Sequence, residues 1–169
     1  MKKYTFLFLC AIIFGCNNVQ LDVASEKNKI NITLDAWHKA AAEAKFDNYF
    51  SYFTDDAVFI GTDATENWNK KAFAAWSKPY FDKGKAWNFT SLERHIDFDA
   101  SGKTAWFDEL LNTQMKICRG SGVLVKINND WKISQYVLSM TMPNDKIADI
   151  TKLKAQQEDS LISVLQKNR

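Results

Sequence analysis

Three charged residues fall in stretches with strand-like alternation, which places each side chain on one of the two faces of a sheet. Asp108 and Glu109 are adjacent in one such stretch. Arg119 follows in the next one, on a face shared by alternation with Met115, Ile117, Ser121, Val123 and Val125. A charge among apolar neighbours is costly to bury unless it is paired. Arg119 therefore either holds a carboxylate or enolate ligand, or forms a structural ion pair with Asp108 or Glu109.

Only one of Asp108 and Glu109 can enter a cavity, because successive strand residues point to opposite faces. Both faces carry apolar neighbours, so the pattern does not decide between them. We expect Glu109 to be the partner of Arg119. An enzyme that uses Asp108 or Glu109 as a base is the alternative, and it predicts a raised pKa for one carboxylate inside the cavity.

Other chemistry-bearing residues are scattered. His38 lies beside the apolar stripe of a predicted helix and is expected to be partly exposed, and His95 lies in a mixed strand. Neither has a cysteine or an acid at ligand spacing, so we expect no metal and no cofactor. The sequence contains no serine-nucleophile motif. The Gly-Ser-Gly run at 120–122 lies inside a strand, which favours a bulge over a phosphate loop.

Aromatic residues provide a second set of candidates. Trp37, Phe59, Trp68 and Trp76 would suit the mouth of a cavity for a flat apolar ligand. Aromatic side chains at helical spacing more often belong to a core than to a site. Trp68 is the exception, because it lies in a polar loop.

The first sixteen residues predict a bacterial lipoprotein signal. Lys2 and Lys3 precede an apolar run over 4–14, and Gly15 precedes Cys16. The run is shorter than the roughly 20 apolar residues that a spanning helix needs, so it fits a cleaved signal. We expect residues 1–15 to be removed and Cys16 to be lipidated, which would anchor the protein to membrane lipid on the extracytoplasmic side of the cell envelope.

Processing would leave the chain close to neutral, because the full sequence has 22 basic and 20 acidic residues and the signal contains Lys2 and Lys3. A neutral chain has no basic field for nucleic acid, which is not expected as a partner. Cys10 would leave with the signal and Cys16 would carry lipid. Cys118 would then be the last cysteine, expected as a small buried hydrophobe without a disulfide.

The rest of the chain is expected to form one domain between two appendages. Residues 16–30 are polar and aperiodic, which predicts a lipidated tether. Residues 31–150 are expected to form the domain, and residues 151–169 are expected to form a C-terminal helical tail. The domain would open with three helices: one from Thr33, a short one near Asp47 that carries Phe53, and one that ends at Gly84. A short strand at 57–60 separates the second and third helices.

Alternation then predicts four strands, at about 86–98, 103–113, 115–127 and 131–142. Their short, turn-like connections indicate an antiparallel meander. A last helix is expected after Pro143, with Ile147, Ile150 and Leu153 turned inward. Helices followed by an antiparallel sheet define the α+β class.

Several stretches resemble SnoaL-like proteins of the nuclear transport factor 2-like superfamily. They are FTDDAVF at 53–59, TAWFDE at 104–109, RGSGVLV at 119–125 and WKI at 131–133. The resemblance covers about 31–145. It implies a cone, in which a strongly bent sheet wraps around the N-terminal helices and encloses an apolar cavity. It also implies a homodimer formed through the outer face of the sheet.

Function does not follow from this resemblance, because the superfamily includes isomerases, epoxide hydrolases, polyketide cyclases, dehydratases and members without catalysis. Gly61 stands where ketosteroid isomerase-like members carry an acid, and their second acid falls near Ser121 or Gly122. Gln135 and Val137 stand where many relatives have histidine. None of these side chains shuttles protons near neutral pH.

We therefore expect a domain that binds a small, largely apolar ligand. If the ligand carries a carboxylate, Arg119 would bind that group. The expected determinants are Arg119, Glu109, Asp108, Trp37, Phe59, Trp68 and Gln135. One alternative is an isomerase, hydrolase or cyclase of the superfamily that uses Asp108 or Glu109 as its base. The other is a dimeric interaction module that uses the outer sheet face and the C-terminal tail.

Overall fold

The computed structural model describes residues 21–168, and the predicted lipidation residue Cys16 lies outside that range. Six strands form one curled, unclosed sheet that packs against three helices, and a fourth helix follows. The α+β class predicted from the order of elements is confirmed.

The helices are α1 (Val23–Ala42), α2 (Phe46–Ser51), α3 (Lys70–Asp82) and α4 (Ile147–Lys167). The strands are β1 (Phe53–Ile60), β2 (Asn67–Asn69), β3 (Thr90–Phe98), β4 (Thr104–Thr113), β5 (Lys116–Ile127) and β6 (Asp130–Met140). The order across the sheet is β2-β1-β6-β5-β4-β3. The predicted antiparallel meander from β3 to β6 is confirmed, and β1 adds to β6 in parallel.

Helix α1 begins at Val23, so the prediction of a tether up to residue 30 and a start at Thr33 is wrong. The Asp22 side chain caps the helix by accepting a hydrogen bond from the Ser25 N–H at 3.1 Å. The early turns look solvated because they are polar, yet Glu26 is only 6% exposed. Its carboxylate is paired with Lys126 of β5 at 2.9 Å, which makes this burial tolerable.

Strand β1 is longer than predicted, and Phe53 belongs to it rather than to α2. Asp55 and Asp56 are both exposed because the pairing with β6 is irregular between Phe53 and Val58. Asp55 pairs with Lys70 at 3.1 Å. The short β2 pairs with β1 in an antiparallel hairpin. Strand β2 has only three residues, so alternation in the sequence is too short to predict it. Helix α3 begins after Asn69, whose side chain accepts a hydrogen bond from the Ala72 N–H.

The core between the sheet and the helices is predominantly aromatic. Its fully buried members include Trp37 of α1, Tyr49 of α2, Phe73 of α3 and Tyr136 of β6. Trp37 contacts Tyr136 edge-on with ring centroids 4.8 Å apart, and Tyr49 contacts Phe73 edge-on with centroids 6.2 Å apart. The helices therefore fill most of the hollow side of the sheet.

Helix α4 lies outside this core, and no residue in it is buried. The prediction that Ile147, Ile150 and Leu153 turn inward is wrong, since Leu153 is 84% exposed and Ile147 is also exposed. The other three helices already occupy the hollow of the sheet. Helix α4 instead runs beside the loop at 62–65, facing it with Lys154, Gln157, Glu158 and Leu161.

Within residues 21–168, no helix has the length and apolar character that crossing a membrane requires.

Candidate functional site

Glu109 lies at the centre of β4 with no solvent exposure, and three side chains converge on its carboxylate. One oxygen lies 2.9 Å from Nε2 of His38 and accepts a hydrogen bond from the Tyr136 hydroxyl at 3.2 Å. The other oxygen accepts from Nε of Arg94 at 2.9 Å. The cluster therefore joins α1, β3, β4 and β6 inside the domain.

Burial and pairing act on Glu109 in opposite directions. Burial raises its pKa, but the hydrogen bonds and charges of His38 and Arg94 outweigh that effect and hold the pKa below its ordinary value. Burial, together with the Glu109 charge, raises the pKa of Tyr136 well above its ordinary value. Glu109 is thus an ionised acceptor whose oxygens are already occupied. This arrangement suits structural pairing better than proton abstraction, for which a raised pKa was expected.

The Arg94 guanidinium is almost fully engaged in hydrogen bonds and ion pairs within the domain. It also donates to Asp35 at 3.0 Å and to the Asn31 side chain at 3.0 Å, and the Arg94 side chain is 5% exposed. Nδ1 of the buried His38 has no hydrogen-bond partner among the described residues. The prediction that His38 is partly exposed is wrong, because the ring turns inward to reach Glu109. Arg94 was missed, since its strand shows only mixed alternation.

Arg119 lies on the outer face of the sheet, so the expectation that it pairs with Glu109 in the interior is wrong. The register places Arg119 opposite Leu110, whereas Glu109 lies opposite Gly120. Arg119 is 54% exposed in its side chain and lies 3.6 Å from Asp108, which is also at the surface. The ion pair with Asp108 that the sequence left open is the one that forms.

His95 extends this outer cluster. Its two ring nitrogens lie 3.2 Å from Asp108 and 3.1 Å from Glu93. The hydrogen bond and the charge of Asp108 raise the pKa of His95, with a smaller contribution from Glu93. The cluster is open to water, where such pairs stabilise a fold only slightly.

A pocket of about 180 Å³ opens at the edge of the aromatic core, between the end of β1, α3 and the β4–β5 turn. Phe59 and Trp68, both predicted from the sequence, line it, as does Trp76. Its other lining residues are Gly61, Thr62, Glu66, Phe73, Trp87, Phe89, Gln114, Met115 and Leu138. Of the remaining predicted determinants, Trp37 is core and 1% exposed, and Gln135 is exposed on β6.

Several rings around this pocket are close to parallel. Phe59 and Phe73 stack with centroids 3.9 Å apart and an interplanar angle of 11°. Trp68 lies 5.7 Å from Phe73 at 18° and 4.7 Å from Trp76 at 28°. A pocket beside parallel rings accommodates a flat ligand more readily than a bulky one.

A wider polar groove of about 560 Å³ runs between α1 and β3. Most of its charged side chains are already paired: Asp35 with Arg94, Lys39 with Glu43, and Glu93 with His95. The groove therefore offers few unengaged charges to a ligand. The smaller aromatic pocket is the better candidate site.

The open, curled sheet with helices in its hollow and a pocket at its edge defines a cone-shaped α+β domain of the nuclear transport factor 2-like type. The SnoaL-like domain family matches residues 30–143, and the chain belongs to that family.

Solved structures similar to this chain share its fold at low sequence identity. An NTF2-like protein of unknown function from Pseudomonas putida KT2440 has 13% identity and a TM-score of 0.61, covering 73% of this chain and 92% of its own. A candidate scytalone dehydratase from Novosphingobium aromaticivorans DSM 12444 has 13% identity and a TM-score of 0.61, covering 70% and 86%. No curated protein matches this sequence.

A candidate association domain of a calcium/calmodulin-dependent kinase II from Exiguobacterium sibiricum 255-15 is also similar. It has 14% identity and a TM-score of 0.55, covering 74% of this chain and all of its own. An enzyme-like protein and an assembly domain thus share one fold with this chain. The fold alone therefore does not select between catalysis, binding and assembly.

Proposed function

We propose that this protein is a lipid-anchored envelope protein whose SnoaL-like domain binds a small, flat, largely apolar ligand in the aromatic pocket. The observation that carries the proposal is the set of nearly parallel rings, Phe59, Phe73, Trp68 and Trp76, at the wall of that pocket. Sites for small molecules combine such apolar walls with a few polar groups, which Glu66 and Gln114 provide here. The small volume favours a ligand of about one ring.

The proposal gives Asp108, Glu109 and Arg119 no part in binding. Glu109 is enclosed by its own partners, while Asp108 and Arg119 pair at the outer surface. A carboxylate on the ligand is therefore not required. The same placement weakens the alternative of an enzyme that uses Asp108 or Glu109 as its base.

Titration with benzyl alcohol, a neutral one-ring probe, tests the binding proposal. The full chain in a neutral detergent should show saturable shifts in the NMR resonances of the tryptophan indoles at the pocket. Trp68→Ala should weaken the affinity about tenfold, since it removes one wall of the pocket. Trp106→Ala is the matched control, because Trp106 is 49% exposed on the outer face of the sheet. Equal affinities of the two variants would contradict the proposal.

Anchoring is tested separately. Cys16→Ser should release the protein from the membrane fraction of expressing cells, and radiolabelled fatty acid should no longer be incorporated. Cys10→Ser is the control, because that cysteine would leave with the signal. Continued labelling of the Cys16→Ser protein would contradict lipidation at this residue.

A homodimer is a second proposal, and the outer face of the sheet favours it. Trp106 of β4 and Ile117 of β5 are each 49% exposed on that face. Large apolar side chains exposed on one face of a sheet are available to pack against a second copy of the chain. Ile117→Lys should convert a dimer to a monomer in sedimentation velocity, whereas Ile162→Lys in α4 should not. A wild-type monomer at all concentrations would contradict the proposal.

A further inference from the structure

We propose that the ligand of the aromatic pocket is a planar cation, such as a protonated amidine or nitrogen heterocycle on a single ring. This inference rests on the proposed function and adds the charge of the ligand to it. It replaces the expectation of a carboxylated ligand, which depended on Arg119 entering the cavity.

The charge of the pocket is the first argument. Among the described residues that line it, Glu66 alone carries a formal charge. Glu66 forms no ion pair within residues 21–168, and one of its oxygens accepts only the backbone N–H of Asp63, at 3.2 Å. A half-buried carboxylate without a cationic partner attracts positive charge and repels an anionic ligand.

The loop that carries Glu66 holds this carboxylate at the pocket. The Gly61 N–H donates to the Glu66 carbonyl at 3.0 Å, which folds residues 61–66 back on themselves. The Glu66 side chain then lies over Gly61, where a Cβ on residue 61 would overlap its carboxylate oxygen. The missing side chain of Gly61 therefore leaves the space that the acid occupies at the end of β1.

The rings are the second, independent argument. The face of an aromatic ring carries negative charge density, so tryptophan faces attract cations. Trp68 and Trp76 are stacked and share the pocket lining with Glu66, and the near-parallel rings of Phe59 and Phe73 in the same lining favour a flat shape. A planar cation satisfies the carboxylate and the ring faces together, whereas a neutral ring uses only the second.

Three one-ring probes separate charge from shape: benzamidine as the planar cation, benzoate as the planar anion of nearly the same shape, and benzyl alcohol as a neutral ring of similar size. Their dissociation constants are measured by titration calorimetry on the full chain in a neutral detergent. Benzamidine should bind at least about tenfold more tightly than benzoate, because one carboxylate attracts the first and repels the second. Glu66→Gln should reduce that ratio to about threefold or less.

Glu158→Gln is the matched control. Glu158 of α4 faces the same loop but lines a different cavity, so its removal changes the surrounding charge without touching the pocket. The ratio should stay as in the wild type. Equal binding of benzamidine and benzoate, or an unchanged ratio in Glu66→Gln, overturns the inference. Binding of benzyl alcohol in that case leaves the proposed function standing, and failure of all three probes overturns both.

Discussion

Nε2 of His38 on α1 lies 2.9 Å from a carboxylate oxygen of Glu109 in the middle of β4. Nη2 of Arg94, on the neighbouring β3, lies 2.8 Å from the other carboxylate oxygen. These three residues are far apart in sequence, so the contact forms only when the helix is packed on the sheet. A buried ion cluster of this kind makes the position of α1 depend on polar geometry as well as on apolar burial.

Glu109→Gln should therefore be strongly destabilising. The amide keeps the shape of the side chain but leaves the buried Arg94 without its nearest counter-charge, which costs about 3 kcal/mol in the free energy of unfolding. Urea unfolding followed by circular dichroism measures the loss. Asp108→Asn is the control, because this neighbour pairs with Arg119 at the surface and should cost less than about 1 kcal/mol. A loss in Glu109→Gln no larger than in the control would contradict this account.

Stability at low pH should depend on Glu26. Burial raises its pKa, but hydrogen bonds from Lys29, Lys126 and Trp131 outweigh burial and lower the pKa from 4.5 to about 2. A pKa lowered by folding stabilises the native state above the unfolded value of 4.5, and this contribution is lost as the pH falls towards 2. The free energy of unfolding should therefore decrease over that interval.

Urea unfolding curves measured between pH 5 and about pH 2 test this prediction, because this interval spans the folded and unfolded pKa values of Glu26. Glu26→Gln should make the decrease less steep, since the variant has no carboxylate to protonate at this position. Glu158→Gln removes a carboxylate from the surface of α4 and serves as the control. Identical slopes for wild type and Glu26→Gln would refute the role assigned to Glu26.

Much of the fold could be predicted because the meander depends on local signals. Alternation and short turns placed β3 to β6 within a few residues. The start of α1 could not be predicted in this way, because Glu26 resembles a solvated residue until Lys126 and Trp131 are brought to it. The face of α4 was assigned inward because its apolar spacing is helical, but spacing does not show whether space remains in the core.

The candidate site was predicted less completely, for two physical reasons. Alternation defines two faces of a strand without saying which is buried, and on β5 the inner face carries Gly120 and Gly122. Rings of Tyr136 and Phe107 fill the space above these glycines, so the bulkier face that holds Arg119 points outward. In addition, Glu66 and Gln114 lie in separate loops, and only the folded chain brings them to one pocket.

The close packing above Gly122 yields a third prediction. An added Cβ would overlap the backbone oxygen of Gln135 and the Phe107 ring, and neither can move cheaply. Gly122→Ala should therefore reduce the free energy of unfolding by about 1–3 kcal/mol. Ser121→Ala changes the neighbouring residue on the outer face and should stay within about 0.5 kcal/mol. Thermal unfolding of both variants measures the difference. Equal stabilities would contradict the prediction and would mean that the backbone moves enough to accommodate the added Cβ.

Gly61→Ala tests the position of the Glu66 carboxylate without changing any charge. The added Cβ would overlap the end of a flexible side chain rather than backbone, so the carboxylate should swing away from the pocket at a cost in stability below about 1 kcal/mol. Benzamidine should then lose its advantage over benzoate, as in Glu66→Gln. Calorimetric titration of the two single variants and the double variant measures this effect.

The double variant decides how the alanine acts. If Gly61→Ala weakens benzamidine binding only by displacing the carboxylate, it has nothing further to remove once residue 66 is glutamine, and the two effects should not add. Full additivity of the two losses would mean that residue 61 affects the ligand directly. In that case the acid at residue 66 and the glycine at residue 61 would be separate features of the pocket, not one arrangement.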